Sequence, residues 1–131
     1  QQTGCPGNEW EKGGYAGALL ADGRYVAFIS NCPNLVENDT NDSQDLFRRD
    51  RQKKITIRAS VNTAGEEQDG AVHVEFNSFA ISGNGQFMTF QSSATNLVEP
   101  NDILAFDDIF LREEEKEFFW PFFLQNFKAK K

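Results

Sequence analysis

The apolar positions of this chain fall in short runs separated by turn residues, a pattern of strands rather than helices. Ala16 to Leu20 and Ser78 to Ile81 read as first strands. Each runs into a tight-turn dipeptide, Asp22-Gly23 or Asn84-Gly85, whose residue types tolerate positive φ. Arg24 to Ser30 and Gln86 to Ser92 follow as second strands, rich in aromatic and β-branched residues. A long polar loop comes next in each half, then third strands at Asp45 to Asp50 and Asp108 to Glu113. Ile55 to Val61 reads as a fourth strand, with Ile55, Ile57 and Ala59 alternating against Thr56 and Arg58. Its counterpart, Glu117 to Leu124, is interrupted by Pro121.

The two halves match. Asp22-Gly-Arg-Tyr-Val-Ala-Phe28 corresponds to Asn84-Gly-Gln-Phe-Met-Thr-Phe90 at an offset of 62 positions. Asn34-Leu-Val-Glu37 recurs unchanged as Asn96-Leu-Val-Glu99 at the same offset. Asp45-Leu-Phe47 recurs as Asp108-Ile-Phe110 one position later, and Arg49 maps to Arg112. Matching order and near-constant spacing indicate an internal repeat. Repeat 1 covers about residues 4–65 and repeat 2 about 66–128, within a single β-repeat domain over 1–131. The expected fold is all-β, two four-stranded antiparallel blades of a β-propeller. A β-sandwich of about eight strands is the alternative, although sandwiches seldom show such close internal matching. A single blade is a small sheet with two apolar faces, so it must stack on neighbours.

The stretch ALLADGRYVAFISNCPNLVENDTNDSQDLFRRDRQ resembles the bacterial WD40-like repeats of the TolB type, called PD40 repeats. In that family a Ser-x-Asp-Gly-x-x-(Val/Ile)-Ala-Phe segment precedes an aromatic strand ending in Asp. The long-loop version carries Asn-Leu-Val, then Asp-x-Asn, then Asp-(Val/Ile)-Phe-Val-Arg-Asp. Residues 16–61 match well and 78–113 moderately. Leu20 departs from the family serine, which Ser82 keeps, and Asn84 replaces the turn aspartate. Phe118 to Lys131 does not match. The resemblance implies a propeller and an extracytoplasmic setting, and it implies no reaction.

At 131 residues the chain has room for one domain with a core of its own. Thirteen Phe against one Met suit strands buried on both faces. The net charge of -7 argues against nucleic acid, whose phosphates are held by Lys and Arg. It argues equally against an anionic membrane surface, and it suits cation binding. No apolar run reaches the roughly 18 residues of a membrane span. No signal peptide is visible, and a chain opening on Gln1 reads as a mature secreted form or an excised fragment. Cys5 and Cys32 both sit in Gly/Pro/Asn-rich loops. They are expected to form a disulfide, with two free thiols as the alternative. A disulfide fits an extracellular or periplasmic location.

The clearest chemical candidate is the loop Glu37 to Asp45. It places Asp39, Asn41, Ser43 and Asp45 at alternate positions, as at the start of an EF-hand calcium loop. Gln44 stands where that loop needs Gly, and no Glu closes it; a solvated Asx-rich turn is the competing reading. Calcium is the one cofactor expected. The same loop holds two glycosylation sequons, at Asn38 and Asn41. His73, the only histidine, is expected to be a satisfied inter-blade residue with Glu75 as its local partner. Arg48-Arg49-Asp50-Arg51 reads as a solvated blade edge.

No Gly-x-Ser-x-Gly elbow, P-loop, dinucleotide fingerprint or CxxC occurs, so no enzyme is expected. The tail carries Phe118, Phe119, Trp120, Phe122, Phe123 and Phe127, an apolar cluster expected to dock on another blade or subunit. The leading expectation is a non-enzymatic secreted structural or interaction module, assembling with copies of itself or further blades into a ring or filament. The alternatives are a carbohydrate-binding propeller lectin, with Trp10 and Trp120 stacking on glycans, and the propeller part of a larger hydrolase or sensor.

Overall fold

The computed structural model describes residues 14–73, 78–101 and 106–114, and the fold within them is all-β. Strands β1 (Gly14–Leu19), β2 (Tyr25–Ser30), β3 (Asp45–Asp50) and β4 (Ile55–Arg58) form an antiparallel sheet in the order β1-β2-β3-β4. Strands β5 (Phe79–Ile81), β6 (Phe87–Ser92) and β7 (Asp108–Glu113) form a second antiparallel sheet in the order β5-β6-β7. The expected counterpart of β4, Glu117 to Leu124, lies outside the described residues.

The two β-hairpin turns are built alike, and the sequence says why. In the first, Gly23 takes φ 69°, a conformation costly for a residue with a Cβ. Its N–H donates to Leu20 O at 2.8 Å, and the Asp22 carboxylate accepts from Arg24 N at 2.9 Å. In the second, Gly85 takes φ 71°, its N–H donates to Ser82 O at 2.8 Å, and Asn84 Oδ1 accepts from Gln86 N at 3.0 Å. These side-chain bonds engage Arg24 and Gln86 in the turns, so β2 and β6 each begin one residue later than expected. Strands β3 and β7 have the expected bounds. Strand β4 is shorter than expected: Ala59 N still donates to Leu46 O at 2.7 Å, but the chain then bends and Val61 makes only an isolated bridge to Glu67.

Register fixes which residues share a face, because directly opposed residues project to the same side. On the first sheet the pairs Ala27↔Arg48, Ile29↔Leu46 and Tyr25↔Asp50 define an inner face. The pairs Val26↔Arg49 and Phe28↔Phe47 define an outer one. On the second sheet, Met88↔Arg112 and Phe90↔Phe110 share one face, while Phe87↔Glu113, Thr89↔Leu111 and Gln91↔Ile109 share the other.

The core lies between the sheets. Ala27, Ile29 and Leu46 from the first sheet cluster with Met88, Phe90 and Phe110 from the second. Ala59, Val72, Ala94 and Leu97 from the connections complete the cluster. Burying a leucine such as Leu46 at zero exposure contributes about 2–3 kcal/mol. Phe28 stacks on Phe47 with centroids 5.7 Å apart, and Phe90 stacks on Phe110 at the same distance. Each stack adds about 1 kcal/mol.

The basic run on β3 does not form a solvated edge. β3 pairs with both β2 and β4, so it is an interior strand. Arg48 crosses to the second sheet, where its Nη1 donates to Gly85 O at 2.5 Å. The Tyr25 ring lies against both Arg48 and Gly85. Asp50 accepts from Arg24 Nη2 at 2.9 Å and from the backbone of Gln52 and Lys53, closing the β3–β4 turn. The Arg24 hydrogen bond, with those backbone donors, lowers the Asp50 carboxyl to about 2.

Candidate functional site

The loop between β2 and β3 and the connection after β4 meet at one buried polar cluster. Arg58, at the end of β4, is its centre. Its Nη1 lies 3.1 Å from Asp39 Oδ1, 3.0 Å from Glu67 Oε2 and 3.6 Å from Asp45 Oδ2. Its Nη2 donates to Asn38 O at 3.3 Å. Glu67 also accepts from Thr40 N at 2.9 Å and from the Thr40 hydroxyl. Burial raises the Asp39 carboxyl and the neighbouring Asp45 charge adds to this, against the pull of Arg58. Burial also pushes Glu67 upward, but hydrogen bonds from Thr40 and Arg58 outweigh it and hold Glu67 below its ordinary value.

Asp45 then links the two sheets. Its Oδ1 accepts from Ser60 Oγ at 2.5 Å and from Gln68 Nε2 at 2.8 Å. Gln68 Oε1 in turn accepts from Ser92 Oγ, on β6, at 2.7 Å. Gln68 is 1% exposed, so its fully used amide ties the sheets together in a low-dielectric setting.

Of the four residues expected to hold calcium, the fold brings Asp39 and Asp45 together, with the Arg58 guanidinium between them. Asn41 and Ser43 instead build the turn. Asn41 Oδ1 accepts from Ser43 N at 3.1 Å, Ser43 Oγ donates to Asn41 O at 3.1 Å, and Asn41 Nδ2 donates to Gln68 O at 3.3 Å. Asn38, the first sequon, is exposed with φ 58°, while Asn41, the second, spends its amide on that bond to Gln68. Among the described residues no group of three or more His, Cys, Asp and Glu side chains has the geometry to hold a metal.

His73 sits at the seam between the sheets, where its backbone N–H donates to Gln91 O at 3.0 Å. Its Nε2 meets Asp107 Oδ1 at 2.7 Å. Glu75 lies outside the described residues, and the partner that the fold supplies comes from far along the chain. Cys32 is buried and disulfide-bonded. Cys5, the chain's other cysteine, lies outside the described residues. So do Trp10, Phe118, Phe119, Trp120, Phe122, Phe123 and Phe127.

Sequence reasoning missed Arg58, Glu67 and Gln68. Arg58 was legible only as the polar half of a strand alternation, and nothing local marks Gln68 as a buried hub. It also missed the outer face of the second sheet. There Phe87 is 37%, Ile109 78% and Leu111 66% exposed. The signal was present, since Asp108-Ile-Phe-Leu-Arg places apolar residues on both faces of β7. No family model, no curated protein and no solved structure matches this chain.

Proposed function

We propose that this chain is a non-enzymatic, secreted structural or interaction module: two β-propeller-type blades, of the WD40-like TolB kind, that assemble with copies of themselves or with further blades. The observation that carries the reading is the outer face of the second sheet. Three large apolar side chains on two adjacent strands stand in solvent there, on a sheet whose other face is packed. Contiguous exposed apolar surface of that kind favours a partner. The matched halves favour propeller blades over a sandwich, because each sheet then stacks on the next in the same sense. Closed propellers hold about four to eight blades, so two blades call for more. The buried disulfide-bonded Cys32 supports an oxidising compartment.

Light scattering on the purified chain tests the reading. A mass of several chains supports it. A well-folded monomer that persists at high concentration sinks it.

A further inference from the structure

Among the described residues the second sheet has three strands where the first has four, and β7 forms one of its edges. The hydrogen-bond phase of the ladder decides which groups lie on that edge. Glu114 N donates to Gln86 O at 2.8 Å, and bonded and unbonded pairs alternate along an antiparallel ladder. With Met88↔Arg112, Phe90↔Phe110 and Ser92↔Asp108 in register, Arg112, Phe110 and Asp108 turn their backbone groups towards β6. Ile109, Leu111 and Glu113 turn theirs to the edge. Such an edge, beside the exposed Ile109 and Leu111 side chains, is a template for another strand.

The first sheet supplies the pattern for that strand. There β4 lies on the matching edge of β3, with Arg48 opposite Ile57 and Asp50 opposite Ile55. Ala59 N donates to Leu46 O at 2.7 Å, so Ala59, Ile57 and Ile55 turn their backbone groups to β3, while Arg58 and Thr56 turn theirs away. The 63-position offset that carries β3 onto β7 carries Ile55, Ile57 and Ala59 onto Phe118, Trp120 and Phe122. It carries Arg58 onto Pro121. Proline has no N–H to donate, and an edge strand accepts it where that N–H would point away from the sheet. Pro121 therefore falls at a phase where it costs no ladder bond. The approach to the turn matches too. Arg24 Nη2 donates to Asp50 at 2.9 Å in the first sheet, and Gln86 Nε2 donates to Glu113 Oε1 at 3.2 Å in the second.

We propose that residues 118–122 of the same chain add to the β7 edge as a fourth strand, with Trp120 opposite Leu111 and Phe118 opposite Glu113. This register sends Phe118, Trp120 and Phe122 to the same side as Phe87, Ile109 and Leu111. The added strand widens the apolar face on which further copies sit in the assembly reading above. That widening bears on assembly only if the reading holds, whereas the strand pairing stands apart from it.

Amide hydrogen exchange on the full chain, resolved by NMR, tests the pairing. The Phe110 and Arg112 amides, bonded to β6, are the internal reference and report that the sheet is folded. The Ile109, Leu111 and Glu113 amides are expected to exchange within about tenfold of them. Trp120→Pro removes the donor to Leu111 O and is expected to release the Leu111 amide. Phe119→Pro sets proline at the outward phase and is expected to leave that amide slow. Fast exchange at Ile109, Leu111 and Glu113 in the unmodified chain overturns the pairing. So does protection that survives Trp120→Pro, that both prolines abolish alike, or that disappears on dilution and so belongs to another copy. Light scattering on the same samples separates the two readings: slow exchange in a lasting monomer keeps the strand and sinks assembly, and fast exchange in a multimer does the reverse.

Discussion

The inner face of the first sheet and the outer face of the second occupy equivalent positions of the repeat and meet opposite fates. Leu46 and Ile109 occupy equivalent strand positions, each beside a Phe that points the other way and stacks on the preceding strand. One has no exposure and the other has 78%. The faces differ in what covers them and also in their strands, since Ala27, Ile29 and Arg48 correspond to Thr89, Gln91 and Leu111. The first sheet has a neighbour, and a polar tie of Asp45, Gln68 and Ser92 holds that neighbour in place. An apolar strand position is part of the core where a neighbouring sheet covers it and exposed apolar surface where none does.

The largest expected break in this comparison falls on the buried cluster beside the first sheet. Arg58→Met removes the cation facing Asp39, Asp45 and Glu67 and leaves buried carboxylates uncompensated. The expected loss is about 3–5 kcal/mol by urea unfolding. The same variant tests the calcium expectation for the Glu37 to Asp45 loop. With the guanidinium gone, added calcium should recover part of the lost stability, and it should do less for the parent chain. Equal effects on both would show that Arg58 does not occupy the cation position.

Leu46→Ala is expected to cost about 3 kcal/mol through lost burial and an unfilled cavity. Ile109→Ala, at the matching position, should change the stability of a dispersed single chain by less than about 0.5 kcal/mol. Similar costs at the two sites would contradict the contrast between filled and open faces. Gly85→Ala meets both the positive-φ penalty and the Tyr25 ring, and should cost about 2–4 kcal/mol. Gly23→Ala meets only the φ penalty and the far end of Arg51, so about 1 kcal/mol is expected there. Thermal midpoints of the two variants compare them directly.

The smallest effect concerns acid. Asp50 is held at about 2 against an ordinary 3.8, so its contribution is complete above the ordinary value and is lost as pH falls through the lower one. Glu67 and Asp69 are lowered too and act in the same direction. Asp39 is raised, so its contribution is present below its ordinary value and is lost as pH rises through the raised one. The thermal midpoint should therefore drop between about pH 4 and pH 2. Asp50→Asn should flatten that drop, and an unchanged slope would remove Asp50 from the account.

Much of this fold was legible in the sequence, for local reasons. Asp22-Gly23 and Asn84-Gly85 announce their turns, and alternation with matched spacing places β2, β3, β6 and β7 to within a residue. The candidate site was only half legible. Asp39 and Asp45 stood out by their spacing, but their partner Arg58 comes from another strand and Glu67 and Gln68 from the connection beyond it. Such contacts are set by how sheets stack, which no local pattern encodes. The Arg48 run was misread for the same reason. A charged strand resembles an edge until the neighbouring sheet supplies Gly85 O as an acceptor and the Tyr25 ring is seen to cover it.

The central claim is that the apolar outer face of the second sheet is covered by further copies of this chain. A native mass spectrum of the intact chain tests it most directly. The account predicts species at multiples of 14.8 kDa. A closed ring should hold about two to four copies, which gives the four to eight blades of known propellers. A spectrum showing only the single chain, from a sample that keeps its β-sheet circular dichroism at high concentration, would contradict it.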